Sequence, residues 1–166
     1  QGGTITLESE TGKGSTFRFI LTFLVSEKAA REPGEVSESY VGLEGKRILV
    51  AEDNKINFFV ANKFLSGWGV IVTHAENGQL AIEKLEEEDF DLILMDLHMP
   101  VMDGIEATKI IRKSENPKIN SIPIVALTAA IMSENHDKID ELNINDYVLK
   151  PFKPHDLFER ILTHIR

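Results

Sequence analysis

The stretch Arg47-Ile48-Leu49-Val50-Ala51-Glu52-Asp53 decides how this chain is read. After one arginine, four apolar residues run without a break and stop on two acids. A strand with one wet face would alternate apolar and polar residues; an unbroken apolar run instead reads as a strand buried on both faces. Leu92-Ile93-Leu94-Met95-Asp96 repeats the pattern and also stops on an acid. Further short apolar runs lie at 70–73, 122–127 and 146–149. Between them, 54–67, 77–88, 103–113 and 133–142 have helical length and period, and 154–165 closes the chain. Five strands alternating with five helices predict an α/β fold, a doubly wound five-stranded parallel sheet covered on both faces. In such sheets the functional crevice opens beyond the carboxyl ends of the strands.

Composition narrows the possibilities. The chain has 166 residues, 42% hydrophobic and 27% charged, enough for one or two small packed domains. It has no cysteine, which removes disulfide scaffolds, thiolate zinc sites and cysteine nucleophiles. A formal net charge of −9 argues against a nucleic-acid partner, which needs a lysine- and arginine-rich surface. No apolar stretch approaches the roughly 20 residues of a membrane span, so no membrane contact is expected. The opening Gln1-Gly2-Gly3-Thr4 has no methionine and no signal-peptide pattern, and reads as an internal segment of something longer.

The strand ends carry the chemistry. They bear Glu52-Asp53, His74-Ala75-Glu76, Asp96, Thr128 and Lys150-Pro151. Three carboxylates, a hydroxyl and an ammonium thus meet at one edge of the sheet. Crowded carboxylates repel, and a hard divalent cation with oxygen ligands relieves the repulsion, which suits Mg²⁺. The first strand-to-helix loop, Ala51-Glu52-Asp53-Asn54-Lys55, is acidic and lacks glycine, so it cannot cradle a dinucleotide phosphate. No G-x-x-x-x-G-K-[ST] occurs either.

Over residues 46–166 the chain resembles the receiver domain of two-component response regulators. The matching residues are Glu52-Asp53, Asp96, Met99-Pro100-Val101-Met102-Asp103-Gly104, Thr128-Ala129 and Lys150-Pro151-Phe152, all in order. The resemblance implies a flavodoxin-like sheet of strand order 2-1-3-4-5. It implies that Asp96 is a phosphoacceptor supplied by a phosphohistidine. It further implies that Glu52, Asp53, Asp96 and the main-chain carbonyl of His98 hold Mg²⁺, and that Lys150 and Thr128 meet the phosphoryl oxygens. Lys150-Pro151 is expected to be cis, Gly104 to relieve crowding at the start of the third helix, and Thr128 and Tyr147 to act as a switch. His98 and Ala130 occupy positions that flank the phosphoryl group, whereas His74, His136, His155 and His164 read as surface residues.

Residues 1–24 predict a β-hairpin. Thr4-Ile5-Thr6-Leu7 and Phe17-Arg18-Phe19-Ile20-Leu21-Thr22-Phe23 alternate on either side of a turn at Thr11-Gly12-Lys13-Gly14. Gly12-Lys13-Gly14-Ser15-Thr16-Phe17 resembles the last glycine box of histidine-kinase ATP-binding domains. The other kinase boxes are missing, so kinase catalysis is not expected of this fragment, only its own phosphorylation and dephosphorylation. A Pro-Gly-containing, charge-rich linker is expected over 25–45, with the receiver over 46–166. That order resembles hybrid sensor histidine kinases, and implies a cytoplasmic module whose partner is a histidine-phosphorylated helical domain. A homodimer is open to it. A stand-alone response regulator, a degenerate receiver scaffold and a flavodoxin-like nucleotide-binding protein are the alternatives. On helix 54–67, placing Val60 at the centre of the buried face leaves Phe58 and Leu65 outside, and this pair is the expected partner-docking patch.

Overall fold

The computed structural model describes residues 2–22, 40–129 and 141–165. Two compact units emerge, 1–38 and 39–166.

The first unit is an antiparallel hairpin, β1 (Thr4–Glu10) and β2 (Gly14–Ile20). Its register pairs Ile5 with Phe19 and Leu7 with Phe17, so these four side chains share one face, and all four are exposed. Gly12 and Gly14 have φ of 81° and 97°, a region that favours glycine and fits the tight turn between the strands.

The second unit runs β3 (Arg47–Ala51), α1 (Lys55–Gly67), β4 (Ile71–Ala75), α2 (Gly78–Glu87), β5 (Leu92–Asp96), α3 (Gly104–Arg112), α4 (Pro117–Asn120), β6 (Ile124–Thr128), β7 (Asp146–Leu149) and α5 (Pro154–His164). The sheet is parallel, with spatial order β4-β3-β5-β6-β7, which is the predicted order counted from β3. Alternation along the buried strands splits the core in two. Leu49, Ile93, Met95 and Ile124 pack toward α2 and α3, while Ile48, Val50, Leu94 and Leu127 pack toward α1 and α5. Each such side chain contributes about 1.5–3 kcal/mol through the apolar surface it removes from water.

The starts of α1, α2 and α3 are set by side chains. Asn54 accepts from the Ile56 and Asn57 N–H groups, Asn77 from Leu80 N–H and Asp103 from Glu106 N–H. Each cap is worth about 1 kcal/mol. The helix expected over 133–142 falls mostly outside the described residues, as do Ala130 and His136. The four-residue α4, capped by Asn116 with Pro117 in its first turn, had no counterpart among the periodic segments.

Two expectations change. The linker was expected to reach residue 45, but Tyr40 and Leu43 pack into the second unit. Leu43 is fully buried, and the Tyr40 ring lies 5.2 Å from Trp68 and 4.7 Å from Phe158. On α1, Leu65 is fully buried and Phe58 is half-buried against the core, so the pair cannot form an outer patch. The buried line is Phe58, Ala61, Leu65 and Trp68, spaced three or four residues apart. The apolar side chains left outside are Ile56 and Phe59, 73% and 66% exposed. Apolar residues surround this helix, so its period alone did not fix which line faces the sheet.

Candidate functional site

The carboxyl ends of β3 and β5, which are neighbours in the sheet, bring Glu52, Asp53 and Asp96 together. One carboxylate oxygen from each lies within 4.8 Å of the others. Glu52 and Asp96 are buried and Asp53 is exposed. β7 ends beside β6, and Lys150 follows it. The Lys150 N–H donates to the Thr128 carbonyl at 2.8 Å. Its Nζ reaches back to 2.6 Å from Asp96 Oδ2 and 2.5 Å from Glu52 Oε2. Lys150-Pro151 is cis, as expected.

Two buried carboxylates thus share one ammonium, an unequal balance of charge in a place that water barely reaches. Asp96 Oδ1 accepts from the His98 N–H at 3.0 Å, and Glu52 Oε1 accepts from Asn57 Nδ2 at 2.9 Å. Among the described residues, Glu52 Oε2 accepts no well-directed hydrogen bond, and the Lys150 ammonium lies 2.5 Å from it. A buried carboxylate oxygen left this way, with two more acids alongside, is the donor set a hard oxygen-seeking cation fits. Thr128 is buried at the end of β6, next to the β5 strand that carries Asp96.

The loop after Asp96 is shaped by close contacts. A Cβ on Gly104 would collide with the Asp96 carbonyl oxygen and come within 2.9 Å of Met95 Cγ. Glycine is therefore needed here for space, as the crowding expectation required. Val101 has φ of 70° at the centre of a three-residue turn closed by Met102 N–H to the Pro100 carbonyl at 2.8 Å. A β-branched residue in that region is strained.

Tyr147, on β7, is half-buried, and the Arg160 guanidinium sits 5.9 Å from its ring centroid. Arg160 and His164 of α5 also bind Asp146, at 3.0 and 3.1 Å. Burial pushes the Asp146 carboxyl up, but the Tyr147 N–H, His164 and Arg160 together outweigh it and hold it below the usual carboxylate range. His98 and His155 are exposed, while His74 and His164 are half-buried and bonded, against the expectation of surface residues.

Two residues near the site were not foreseen. Asn57 supports Glu52, and its signal was an amide three residues before Val60, the residue placed at the centre of the buried face. His74 places Nε2 2.8 Å from the Glu52 carbonyl oxygen, and nothing in its strand pattern pointed there.

With the acids, the lysine and the hydroxyl at the strand ends, the family can be assigned. The profile of the response regulator receiver domain matches residues 48–162. The chain belongs to that family. Among curated proteins it is similar to the autoinducer 2 sensor kinase/phosphatase LuxQ of Vibrio vulnificus, 34% identical over 161 residues. That match covers 96% of this chain, so it takes in most of the hairpin, but only 18% of the relative. It is also similar to the sensor histidine kinase GacS of Pseudomonas protegens, 34% identical over 87% of this chain and 16% of the relative. The chain therefore spans less than a fifth of the length of these relatives.

Two solved receiver domains are similar. One belongs to a Pseudomonas aeruginosa sensor histidine kinase and carries a magnesium ion coordinated in its active-site cleft. It is 36% identical with a TM-score of 0.67, over 72% of this chain and 97% of that one. The other is from a Saccharomyces cerevisiae response regulator bound to its histidine phosphotransfer signalling protein. It is 34% identical with a TM-score of 0.67, over 74% of this chain and 90% of that one. Among the described residues, no helix is long and apolar enough to cross a membrane.

Proposed function

We propose that this receiver is the phosphoacceptor module of a hybrid sensor histidine kinase, and that Asp96 takes a phosphoryl group from a phosphohistidine on a helical partner domain. The observation that carries the reading is the Asp96 carboxylate itself. It is buried at a strand end, held by the His98 N–H and the Lys150 ammonium, with Glu52 and Asp53 beside it. An Asp96 oxygen attacks phosphorus in line as the bond to the imidazole nitrogen breaks. The electron pair leaves with the imidazole, and an acyl phosphate forms on Asp96.

Glu52, Asp53, Asp96 and the His98 carbonyl would hold Mg²⁺, which when bound neutralises charge on the phosphoryl oxygens. Lys150 supplies a compact positive charge from the other side. Thr128 donates its hydroxyl to the new phosphoryl group, which adds about −1.5 to −2 charges, and Tyr147 turns inward behind it. The partner lies against the outer face of α1, where Ile56 and Phe59 are exposed. The similarity of both the hairpin and the receiver to sensor kinases supports the hybrid-kinase origin.

The test is transfer from a radiolabelled, histidine-phosphorylated donor domain. Label should move to this chain as a base-labile acyl phosphate, and Asp96→Asn should receive none. Undiminished transfer to Asp96→Asn would refute the assignment.

A further inference from the structure

The β3–β4 ladder ends at the pair Ala51–Ala75, one step past Val50–His74. Beyond it, the Glu52 N–H still donates to the Ala75 carbonyl at 3.0 Å. The chain then turns toward α1, and the Glu52 carbonyl loses any strand partner. A buried carbonyl left without a donor is costly. Here the donor is a side chain, His74 Nε2, at 2.8 Å. A carbonyl oxygen only accepts, so the proton is on Nε2. The imidazole is itself held flat against the Phe58 ring of α1, with centroids 3.7 Å apart and planes 13° from parallel.

We propose that His74 is a positioning residue for the acidic site. Its Nε2–H fixes the plane of the Glu52–Asp53 peptide, and so the direction in which both carboxylates leave the strand end. Asn57 holds the Glu52 carboxylate at its tip, and His74 holds the main chain at its root. Asp53 is exposed, so its direction depends on the peptide that carries it. Phe58 stiffens the imidazole from α1, which ties the site to the helix presenting Ile56 and Phe59. The inference rests on the proposed Mg²⁺ site.

Two substitutions separate donation from packing. His74→Gln keeps an N–H donor of similar reach and loses the ring; His74→Phe keeps the ring and loses the donor. Mg²⁺ titration by calorimetry at about pH 8 gives the affinities. Loss of an outer-shell partner of a metal site typically costs about tenfold or more in affinity. His74→Phe should therefore bind Mg²⁺ about tenfold more weakly than His74→Gln, which should stay close to wild type. A ratio below about threefold overturns the proposal. The wild-type protein gives a readout independent of metal and of how the variants fold: ¹⁵N spectra of the imidazole should show Nε2–H. An Nδ1–H tautomer at that pH overturns the proposal outright. If wild type binds no Mg²⁺, the metal reading falls and takes the inference with it. If wild type binds and both variants bind alike, the inference falls alone.

Discussion

Replacing Lys150 with methionine removes the ammonium that lies between two buried carboxylates while keeping a chain of similar length. Lys150 Nζ stands 2.6 Å from Asp96 Oδ2 and 2.5 Å from Glu52 Oε2. At an effective dielectric of about 20, each contact carries roughly 6 kcal/mol of gross Coulomb attraction. Most of that is offset by the cost of bringing the charges out of water. Breaking such a buried arrangement by deleting one partner typically costs about 3–5 kcal/mol, because the remaining charges are left uncompensated. With Lys150→Met, the repelling carboxylates Glu52, Asp53 and Asp96 stay together, and a divalent cation becomes the remedy. In EDTA the variant should be less stable than wild type by that amount, measured by urea unfolding followed by circular dichroism. Mg²⁺ should then stabilise the variant more than wild type, because the ion no longer shares the cleft with an ammonium. Well above both dissociation constants the gap narrows by RT ln of their ratio, about 1.4 kcal/mol for each tenfold by which the variant binds Mg²⁺ more tightly. A loss below about 1 kcal/mol in EDTA, or a gap that Mg²⁺ leaves unchanged, would refute the electrostatic reasoning.

Phe59→Ala should weaken phosphotransfer from a histidine-phosphorylated partner while leaving modification by acetyl phosphate unchanged. Leu65→Ala should instead lower stability by about 2–5 kcal/mol, as a core truncation does, which unfolding midpoints will show. Gly104→Ala should cost about 1–3 kcal/mol in the same assay, since the added methyl meets the Asp96 carbonyl and Met95. Asp146, whose carboxyl is held low in the folded state, contributes stability that is present above its unfolded value of about 3.9 and is lost as pH falls through its lower folded value. Asp146→Asn should therefore be less stable than wild type at neutral pH and converge with it on strong acidification, read from unfolding midpoints across pH.

The parts of the fold that were legible in the sequence are those where one physical cause dominates. Ile48–Ala51 and Leu92–Met95 are continuously apolar because both faces of a central strand are dry, and the acids after them mark where the dry region ends. Glu52, Asp53, Asp96, Thr128 and Lys150 were readable because the sheet collects strand ends without further help. The face of α1 was misread because Ile56, Phe58, Phe59, Val60, Phe64 and Leu65 surround the helix; only the neighbouring β4 and α5 decide which of them are covered. The role of His74 was hidden for a related reason. Its strand position gives a direction, but its hydrogen bond is to main chain just past the end of β3, and a main-chain carbonyl carries no signature in the sequence. The packing of Tyr40 and Leu43 was obscured by the small and charged residues around them, whose linker composition outweighed two apolar side chains.

The central claim is that Asp96 accepts a phosphoryl group in a Mg²⁺-dependent reaction. Incubation with acetyl phosphate and Mg²⁺, followed by intact mass, tests it most directly. The account predicts a gain of about 80 Da, one phosphoryl group, that disappears in Asp96→Asn and when Mg²⁺ is withheld. A gain of the same size in Asp96→Asn, or one indifferent to EDTA, would contradict it.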